Sequence, residues 1–297
     1  MTTELRARIA KAFRVRGPGV RRVYFNARRV SRFLRDAPRR SVLAALAPTD
    51  IDIASGVGFR VVAPGRFEET PGIVAEARTA LARYDANAPP VGKNRKRFLQ
   101  NVLDPGSLTL DSAIIRFALR EDVLSAVSRY LGVVPLLTMI SVFQSDTVAG
   151  DPTSSQLYHC DGDDVTQIKV FFYCTDVDAP SGPLTLLDAE TTRDVQRRTG
   201  YWYRHRLTDE QVSAAVGAAR EHIILGPTGT AVFVDTSRCF HFGSRVAAGA
   251  PPRLATMIQY QTPYSFMVPS DIEEVALPFR RLLTSSMSSV QRLVLGE

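Results

Sequence analysis

An imidazole and a carboxylate stand two residues apart in the segment 156–164 of this 297-residue chain. They belong to His159 and Asp161, and the residues around them predict an extended segment over 156–161. Because side chains alternate along an extended chain, His159 and Asp161 would point to one side and Cys160 to the other. One nitrogen and one carboxylate oxygen on the same side can bind a single metal ion, so a third donor would complete a site.

The third donor must be one of the remaining histidines of the four in the chain. His241 follows a predicted strand, 231–235, after a short turn that returns it to the rim of the core. His205 lies in a polar segment and is interpreted as a surface residue, and His222 is interpreted as the boundary residue of a strand. His159, Asp161 and His241 would form a two-histidine, one-carboxylate set with open positions, which is the ligand set of non-haem Fe(II) oxygenases.

Short strands dominate the second half of the chain. Period-two patterns or short apolar runs predict β-strands there, and they cover residues 136–144, 156–161, 168–174, 184–187, 222–225, 231–235 and 254–261.

Helices are predicted mainly before and between these strands. Residues 1–47 are predicted to be helical with a break at Gly17-Pro18-Gly19, and 49–62 to contain a short strand. The other predicted helices begin at Thr70, cover 122–131 with Gly132 as the terminating residue, lie within 191–220 with a capping box at Thr208, and cover 280–295. Helices followed by short strands indicate a mainly β fold with flanking helices, that is, a sandwich or barrel with N-terminal helical support.

The composition is that of an ordinary soluble globular protein, with 45% hydrophobic and 23% charged residues. No apolar run approaches the roughly 18 residues that a membrane span needs, and the basic N-terminus leaves no room for the apolar core of a signal peptide. The three cysteines are expected to be reduced thiols of a cytoplasmic protein. No change in composition divides the chain, so a single domain, 1–297, is predicted.

Positive charge is concentrated at the N-terminus. Residues 1–40 contain 13 Lys or Arg against two acidic residues, so they carry a net charge of +11 within a chain of net charge +7. This pattern predicts a basic, partly helical arm, which can bind nucleic acid, an anionic membrane surface or an acidic substrate, resemble a transit peptide, or form an arginine-rich surface helix. Nucleic-acid binding is disfavoured, because no aromatic platform accompanies the charge.

The ordered set His159, Asp161, His241 and Arg253 resembles the phytanoyl-CoA dioxygenase-like (PhyH) family of Fe(II)/2-oxoglutarate-dependent oxygenases. His241 lies 82 residues after His159, and Arg253 lies twelve residues after His241. The resemblance covers about 122–260, and its supporting segments are Tyr130-Leu131-Gly132, Lys169-Val170-Phe171, Ser181-Gly182-Pro183-Leu184, Gly226-Pro227-Thr228-Gly229-Thr230 and Asp235-Thr236-Ser237.

The resemblance implies a double-stranded β-helix (jelly roll, cupin-like) core, here 136–262, with the iron at its open end. It also implies that Arg253 forms a bidentate pair with the remote carboxylate of 2-oxoglutarate, a geometry that suits guanidinium. Arg245 competes for that role but is expected to lie in a turn. Because Asp161 supplies a carboxylate where a halide would otherwise bind, hydroxylation or a related oxidation with O₂, succinate and CO₂ is favoured over halogenation.

Four polar residues are weaker candidates for contact with 2-oxoglutarate: Lys169, Gln144, Ser244 and Thr230. Lys169 shares one face of a predicted strand with Phe171 and Tyr173, and an inward lysine needs an anionic partner. Each of the four is equally well explained as an ordinary polar residue with hydrogen-bond partners.

Two other classes of function stay open. One is a cupin-like metalloprotein that is not an oxygenase, and the other is a binding module with an anion-binding basic arm. The substrate is not determined either, since the family acts on acyl-CoA esters, amino acids and secondary metabolites. Segments 147–155 and 193–206 are expected near the substrate, and the aromatic residues Tyr201, Trp202 and Tyr203 either form a lid or pack.

Overall fold

The computed structural model describes residues 3–84, 97–147, 149–217, 220–267 and 277–297. Its α-helices are α1 Thr3–Arg14, α2 Pro18–Ser31, α3 Ala37–Ala45, α4 Thr70–Arg83, α5 Ala113–Ala118, α6 Glu121–Leu131, α7 Ala189–Thr199, α8 Asp209–Val216 and α9 Ser289–Leu295. Its strands are β1 Phe59–Val62, β2 Leu99–Asn101, β3 Leu136–Ser145, β4 Gln167–Tyr173, β5 Leu184–Leu186, β6 His222–Ile224, β7 Ala231–Val234, β8 His241–Phe242 and β9 Arg253–Gln261.

Two antiparallel sheets form the core. The larger sheet has six strands in the order β1-β7-β4-β9-β3-β2, and the smaller has three in the order β6-β5-β8. A cavity between them is lined by side chains of β3, β4 and β9 on one side and of β5 and β8 on the other. This arrangement is a mainly antiparallel jelly roll with flanking helices, as the sequence predicts.

The two faces of the larger sheet bury different residues, because side chains alternate along each strand. Val170, Phe172 and Phe233 belong to the large apolar cluster that includes helices α4 to α6 and α9. Phe172, for example, meets Phe117 of α5 edge-on with ring centroids 5.6 Å apart. Tyr173 and the other residues of opposite parity face the smaller sheet. The helices therefore support one face of the sheet and leave the other to the cavity.

The N-terminal helices turn arginines toward the body of the protein. Arg21, Arg28 and Arg39 are at most 9% exposed. The Arg39 guanidinium donates to the carbonyls of Val134 and Leu293 at 3.0 and 2.9 Å, and Arg21 and Arg28 likewise donate to backbone carbonyls. These three side chains satisfy carbonyls that the fold buries, whereas Arg16, Arg22, Arg29 and Arg35 of the same region are exposed.

Most of the predicted elements are confirmed, with boundaries shifted by one or two residues. This holds for the break between α1 and α2, for α6 with Gly132 at φ 69°, and for β3, β4, β5, β6, β7 and β9. The capping box at Thr208 is also confirmed and opens α8. Helix α4 begins one residue from expectation, since Glu69 is its N-cap and Thr70 its first residue.

Two predictions of secondary structure are wrong. Segment 156–161 is not a strand, because Tyr158 and His159 pair with two different segments and form isolated bridges. Segment 280–295 is helical only in a 3₁₀ turn, Arg280–Leu282, and in α9, where Ser288 provides the N-terminal cap. The 191–220 region, by contrast, is mainly helical as predicted, with two helices separated by an irregular loop.

Some features lie outside these predictions. Strand β2 was not predicted and forms the edge next to β3, while β1 forms the opposite edge, so both sheet edges come from residues before 136. Lys93, Arg95 and Lys96 lie outside the described residues. Within the part of the chain that is described, no helix is long and apolar enough to cross a membrane.

Candidate metal centre

His159 and His241 face each other across paired backbone segments. The two residues exchange both backbone hydrogen bonds, at 3.1 and 3.0 Å, and their ring centroids lie 4.3 Å apart. Residue 241 opens β8, which pairs with β5. The turn 236–240 brings the chain back from β7, so tertiary pairing places two imidazoles that are 82 residues apart side by side.

Asp161 completes a three-donor cluster. Its backbone N–H donates to the carbonyl of Thr236 at 2.7 Å, which ties it to the turn before His241. Its carboxylate oxygens lie 3.8 Å from Nε2 of His159 and 3.8 Å from Nε2 of His241. The three donor atoms all lie within 4.8 Å of one another. This spacing allows one metal ion to contact all three donors.

Both imidazoles are oriented for metal binding through Nε2. Nδ1 of His159 bonds to the carbonyl of Leu157 at 2.9 Å, and Nδ1 of His241 bonds to that of Cys239 at 3.0 Å. A carbonyl can only accept, so Nδ1 carries the proton and Nε2 presents its lone pair. Burial lowers the pKa of both histidines. They are therefore neutral at pH 7, the form that ligates metals.

Asp161 is held in its ionised form. Burial opposes its ionisation, but the positive charge of Lys169 and its hydrogen bond outweigh burial and lower the pKa of the carboxyl well below its ordinary value. Lys169 Nζ donates to Asp161 Oδ2 at 2.8 Å, and Gln167 Nε2 lies 3.4 Å from the same oxygen. The anionic partner that an inward Lys169 requires is thus Asp161 itself, and these contacts orient the carboxylate.

Arg253 is a buried cation that lacks an acidic partner among the described residues. It is the first residue of β9 and is 8% exposed. Its guanidinium donates to Gly182 O at 2.5 Å, to Ser145 Oγ at 3.3 Å and to Ser244 Oγ at 3.1 Å, and its Nε has no hydrogen-bond partner there. Burial lowers the pKa of Arg253. Because a buried charge is costly without an opposite charge, this site is suited to an anion.

The triad and Arg253 open into one cavity of about 200 Å³. Lys169 and Ser244 also line it, and apolar walls come from Phe143, Phe171 and Met257. A two-histidine, one-carboxylate donor set fits Fe(II), and a buried guanidinium in the same cavity fits the remote carboxylate of 2-oxoglutarate. The residues present therefore fit both groups.

The other predicted residues lie outside this cavity. Gln144 binds Asp146 through Nε2 at 2.8 Å, because strand alternation turns it to the opposite face of β3 from Ser145. Thr230 Oγ1 bonds to Pro227 O within its turn.

Arg245, the competitor of Arg253, is bound elsewhere. It forms a two-pronged ion pair with Asp209 at 2.7 and 2.8 Å and donates to Gln156 O at 2.7 Å. Its guanidinium also lies 3.5 Å from the ring centroid of Phe242. These contacts attach the start of α8 to the segment before His159, and they leave Arg245 outside the cavity.

The remaining histidines and Cys160 are located as the sequence predicts. His205 is exposed and stacks on Trp202, and His222 lies at the start of β6. Cys160 is buried on the other side of the chain, in an apolar cluster with Tyr158. Tyr201 and Tyr203 pack in this cluster, while Trp202 is 48% exposed.

Sequence reasoning missed Ser145, Gln167 and Gly182, which contact the residues of the site. Period-two alternation could have identified Ser145 and Gln167, because they share a strand face with Phe143 and Lys169. The carbonyl of Gly182 could not have been identified, because only folding brings it to Arg253.

No protein-family model and no curated protein matches the chain. Among solved structures, EctD from S. alaskensis in its apoform has a TM-score of 0.51 and 17% identity, with coverage of 76% of this chain and 78% of that chain. SnoN, the non-haem alpha-ketoglutarate-dependent epimerase from nogalamycin biosynthesis, has a TM-score of 0.49 and 18% identity, covering 84% and 92%. HygX from Streptomyces hygroscopicus, with nickel and 2-oxoglutarate bound, has a TM-score of 0.44 and 17% identity, covering 70% and 83%. The likeness to EctD shows a shared fold.

Proposed function

We propose that this protein is an Fe(II)/2-oxoglutarate-dependent dioxygenase of the phytanoyl-CoA dioxygenase-like type. The proposed reaction is hydroxylation or a related oxidation of a C–H bond in a small organic substrate. The observation that carries the proposal is the pairing of two features in one cavity: the His159–Asp161–His241 donors and the buried guanidinium of Arg253 without a carboxylate partner among the described residues.

Each residue has a defined task in this proposal. Bound Fe(II), 2-oxoglutarate and O₂ supply the oxidising chemistry, in which one oxygen atom enters the substrate's C–H bond and the other enters succinate, with release of CO₂. The neutral imidazoles of His159 and His241 and the carboxylate of Asp161 hold the metal. Lys169 orients Asp161 through Oδ2, and Arg253 binds the remote carboxylate of 2-oxoglutarate.

The apolar walls have a separate task. Phe143, Phe171 and Met257 line the cavity, and they limit water around the reacting groups, which strengthens the electrostatic contacts inside. The carboxylate of Asp161 supports oxidation over halogenation, because it occupies the coordination position that a halide would need.

The two alternative classes have less support. A cupin-like metalloprotein that is not an oxygenase does not need a buried arginine beside its metal ligands. Arg253 has no acidic partner among the described residues, which favours a site for an anionic cosubstrate. Burial of Arg21, Arg28 and Arg39 leaves fewer cations for an anion-binding arm, but Arg16, Arg22, Arg29 and Arg35 remain exposed. An anion-binding role of the N-terminal helices is therefore compatible with the proposed activity and does not replace it.

The test is succinate formation from 2-oxoglutarate in the presence of Fe(II) and O₂, together with calorimetric titration of Fe(II). We expect His159→Ala and Asp161→Ala to abolish both metal binding and succinate formation. His222→Ala is the matched control, because His222 is an exposed histidine outside the cavity, and it should behave as the wild type. Full turnover by either triad variant, or no 2-oxoglutarate binding by the metal-loaded wild type, would refute the proposal.

A further inference from the structure

Arg206 lies on a backbone segment that pairs with the segment of His159, one of the proposed metal ligands. Tyr158 and Leu207 exchange both backbone hydrogen bonds, at 3.0 and 2.9 Å. The pairing stops there, since the His205 N–H donates to Trp202 O, but alternation on either side of this pair directs the adjacent side chains, those of His159 and Arg206, to the same face. His159 also pairs with His241, so both proposed histidine ligands lie next to this segment.

Burial on either side of the chain agrees with this orientation. Leu207 is 6% exposed and packs in the apolar cluster that contains Tyr158 and Phe242, on the side away from the metal centre. Arg206 is exposed. Because consecutive side chains point in opposite directions, Arg206 projects from the opposite face of its segment to Leu207, the face toward His159. It lies outside the lining of the cavity itself.

Arg206 also differs from the other cations near the site in its partners. Lys169 is paired with Asp161, and Arg245 is paired with Asp209. Arg206 forms no ion pair within the described ranges, and it donates only to the adjacent carbonyl of His205, at 3.0 Å. Its fork of N–H donors is therefore available to a ligand.

We propose that Arg206 binds an anionic group, a carboxylate or a phosphate, of the primary substrate and so orients that substrate beside the metal centre. This inference rests on the proposed function and defines its substrate class as organic anions. The anionic group stays at the exposed entrance, where guanidinium binds it through two parallel hydrogen bonds, and the rest of the substrate extends toward the metal.

The only tryptophan of the chain provides a local measurement. Trp202 is 48% exposed and stacks on His205 with ring centroids 5.8 Å apart, in the loop that carries Arg206. Its fluorescence is recorded while hexanoate, hexyl phosphate or hexanol is titrated into the full-length protein. The protein is saturated with Fe(II) and 2-oxoglutarate without O₂, so that the Arg253 site is filled and no turnover occurs.

The variants are Arg206→Ala, Arg206→Lys and the matched control Arg204→Ala. Arg204 is also exposed, but it is not adjacent to Leu207, the residue that pairs with Tyr158. We expect at least one of the two anions to bind the wild type and Arg204→Ala with similar Kd, and to bind Arg206→Ala about tenfold or more weakly. Arg206→Lys should give an intermediate Kd, because lysine keeps the charge but not the fork. The tighter of the two anions identifies the group that is recognised.

Three results would overturn the inference: unchanged anion affinity in Arg206→Ala, an equal loss in Arg204→Ala, or binding of hexanol to the wild type as tight as that of the anions. Absence of saturable anion binding to the wild type has the same meaning. Failure of 2-oxoglutarate to bind is detected beforehand by calorimetry and refutes the proposed function instead. In that case, the anion affinities of the variants are compared in the protein without 2-oxoglutarate, and the same results support or overturn the inference.

Discussion

Replacement of Arg253 by glutamine separates a cosubstrate-binding role from a structural one. The variant removes a buried positive charge and the hydrogen bonds to Gly182, Ser145 and Ser244. If the guanidinium is there to bind 2-oxoglutarate, the variant should lose affinity for that anion without losing stability in its absence.

The magnitudes follow from the contacts of Arg253. Truncating one partner of a buried, hydrogen-bonded charge pair costs about 2–5 kcal/mol, so the Kd for 2-oxoglutarate should rise about 30-fold or more. In the ligand-free protein, three hydrogen bonds worth about 0.5–1.5 kcal/mol each are lost. Removal of a buried charge without an acidic partner offsets this loss by several kcal/mol. The ligand-free variant should therefore unfold no more easily than the wild type.

The assay combines calorimetric titration of 2-oxoglutarate into the metal-loaded protein with thermal unfolding. At a 2-oxoglutarate concentration of about 100 Kd, the wild type gains about 2.7 kcal/mol, and the variant gains less than about 1 kcal/mol at the same concentration. For a chain of this length, these gains correspond to Tm increases of about 5 °C and less than about 2 °C.

Arg245→Gln is the matched control, since Arg245 is also a hydrogen-bonded arginine but pairs with Asp209. It should lose up to about 1 kcal/mol of stability and keep the wild-type affinity for 2-oxoglutarate. The reasoning fails if Arg253→Gln keeps its Kd within about threefold while its ligand-free form is destabilised by several kcal/mol.

Three further variants test the support of the site. Arg21→Met should reduce the free energy of unfolding by about 3 kcal/mol in urea titrations, because it leaves buried carbonyls unsatisfied. Its control is Arg22→Met at an exposed position, which should change the free energy of unfolding by no more than about 0.5 kcal/mol. Equal effects of the two variants would contradict a stabilising role of the buried Arg21. Gly182→Ala should weaken 2-oxoglutarate binding in calorimetry, because its Cβ would lie 2.8 Å from backbone atoms of Arg245 and Val246, next to Ser244. Gly200→Ala, with no atom within 4 Å of its added Cβ, should not. Burial raises the pKa of Asp164 from 3.8 to about 7. Its stabilising contribution is thus complete below about pH 4 and lost as the pH rises through 7, so Asp164→Asn should lose less stability than the wild type between pH 5 and 8 in urea titrations.

The strands were predictable from the sequence to the extent that their residues alternate or form apolar runs. Strands β3, β4 and β9 are long enough for the pattern to be clear, and they match prediction within two residues. The pattern fails at 156–161, because each residue of that segment satisfies its backbone through a different partner. Strand β2 has only three residues, too few for periodicity.

The candidate site was predictable where a residue type is rare. Only four histidines compete for two positions, and strand context separates His241 from His205 and His222. Common polar residues were not predictable in this way. Gln144 and Ser145 are adjacent, and only the parity of the strand decides that Ser145 meets Arg253 while Gln144 binds Asp146.

The burial of arginines in the N-terminal region could not be predicted from the sequence either. Its charge predicts a basic, partly helical arm, and within it Arg21 and Arg39 are buried against carbonyls of distant segments. No property of residues 1–40 alone could indicate this, because the acceptors come from other parts of the chain.

By itself, the sequence determined which donor atoms the chain offers and that His159 and Asp161 are near neighbours along it. Chain connectivity keeps these two residues close together without the loss of conformational entropy that a contact between distant segments requires. Only the tertiary structure decided that His241 joins them, that Lys169 neutralises Asp161, and that Arg253 remains without an acidic partner among the described residues. The physical reason is that each of these depends on a contact between distant segments, and such contacts exist only once the sheets have formed and excluded water.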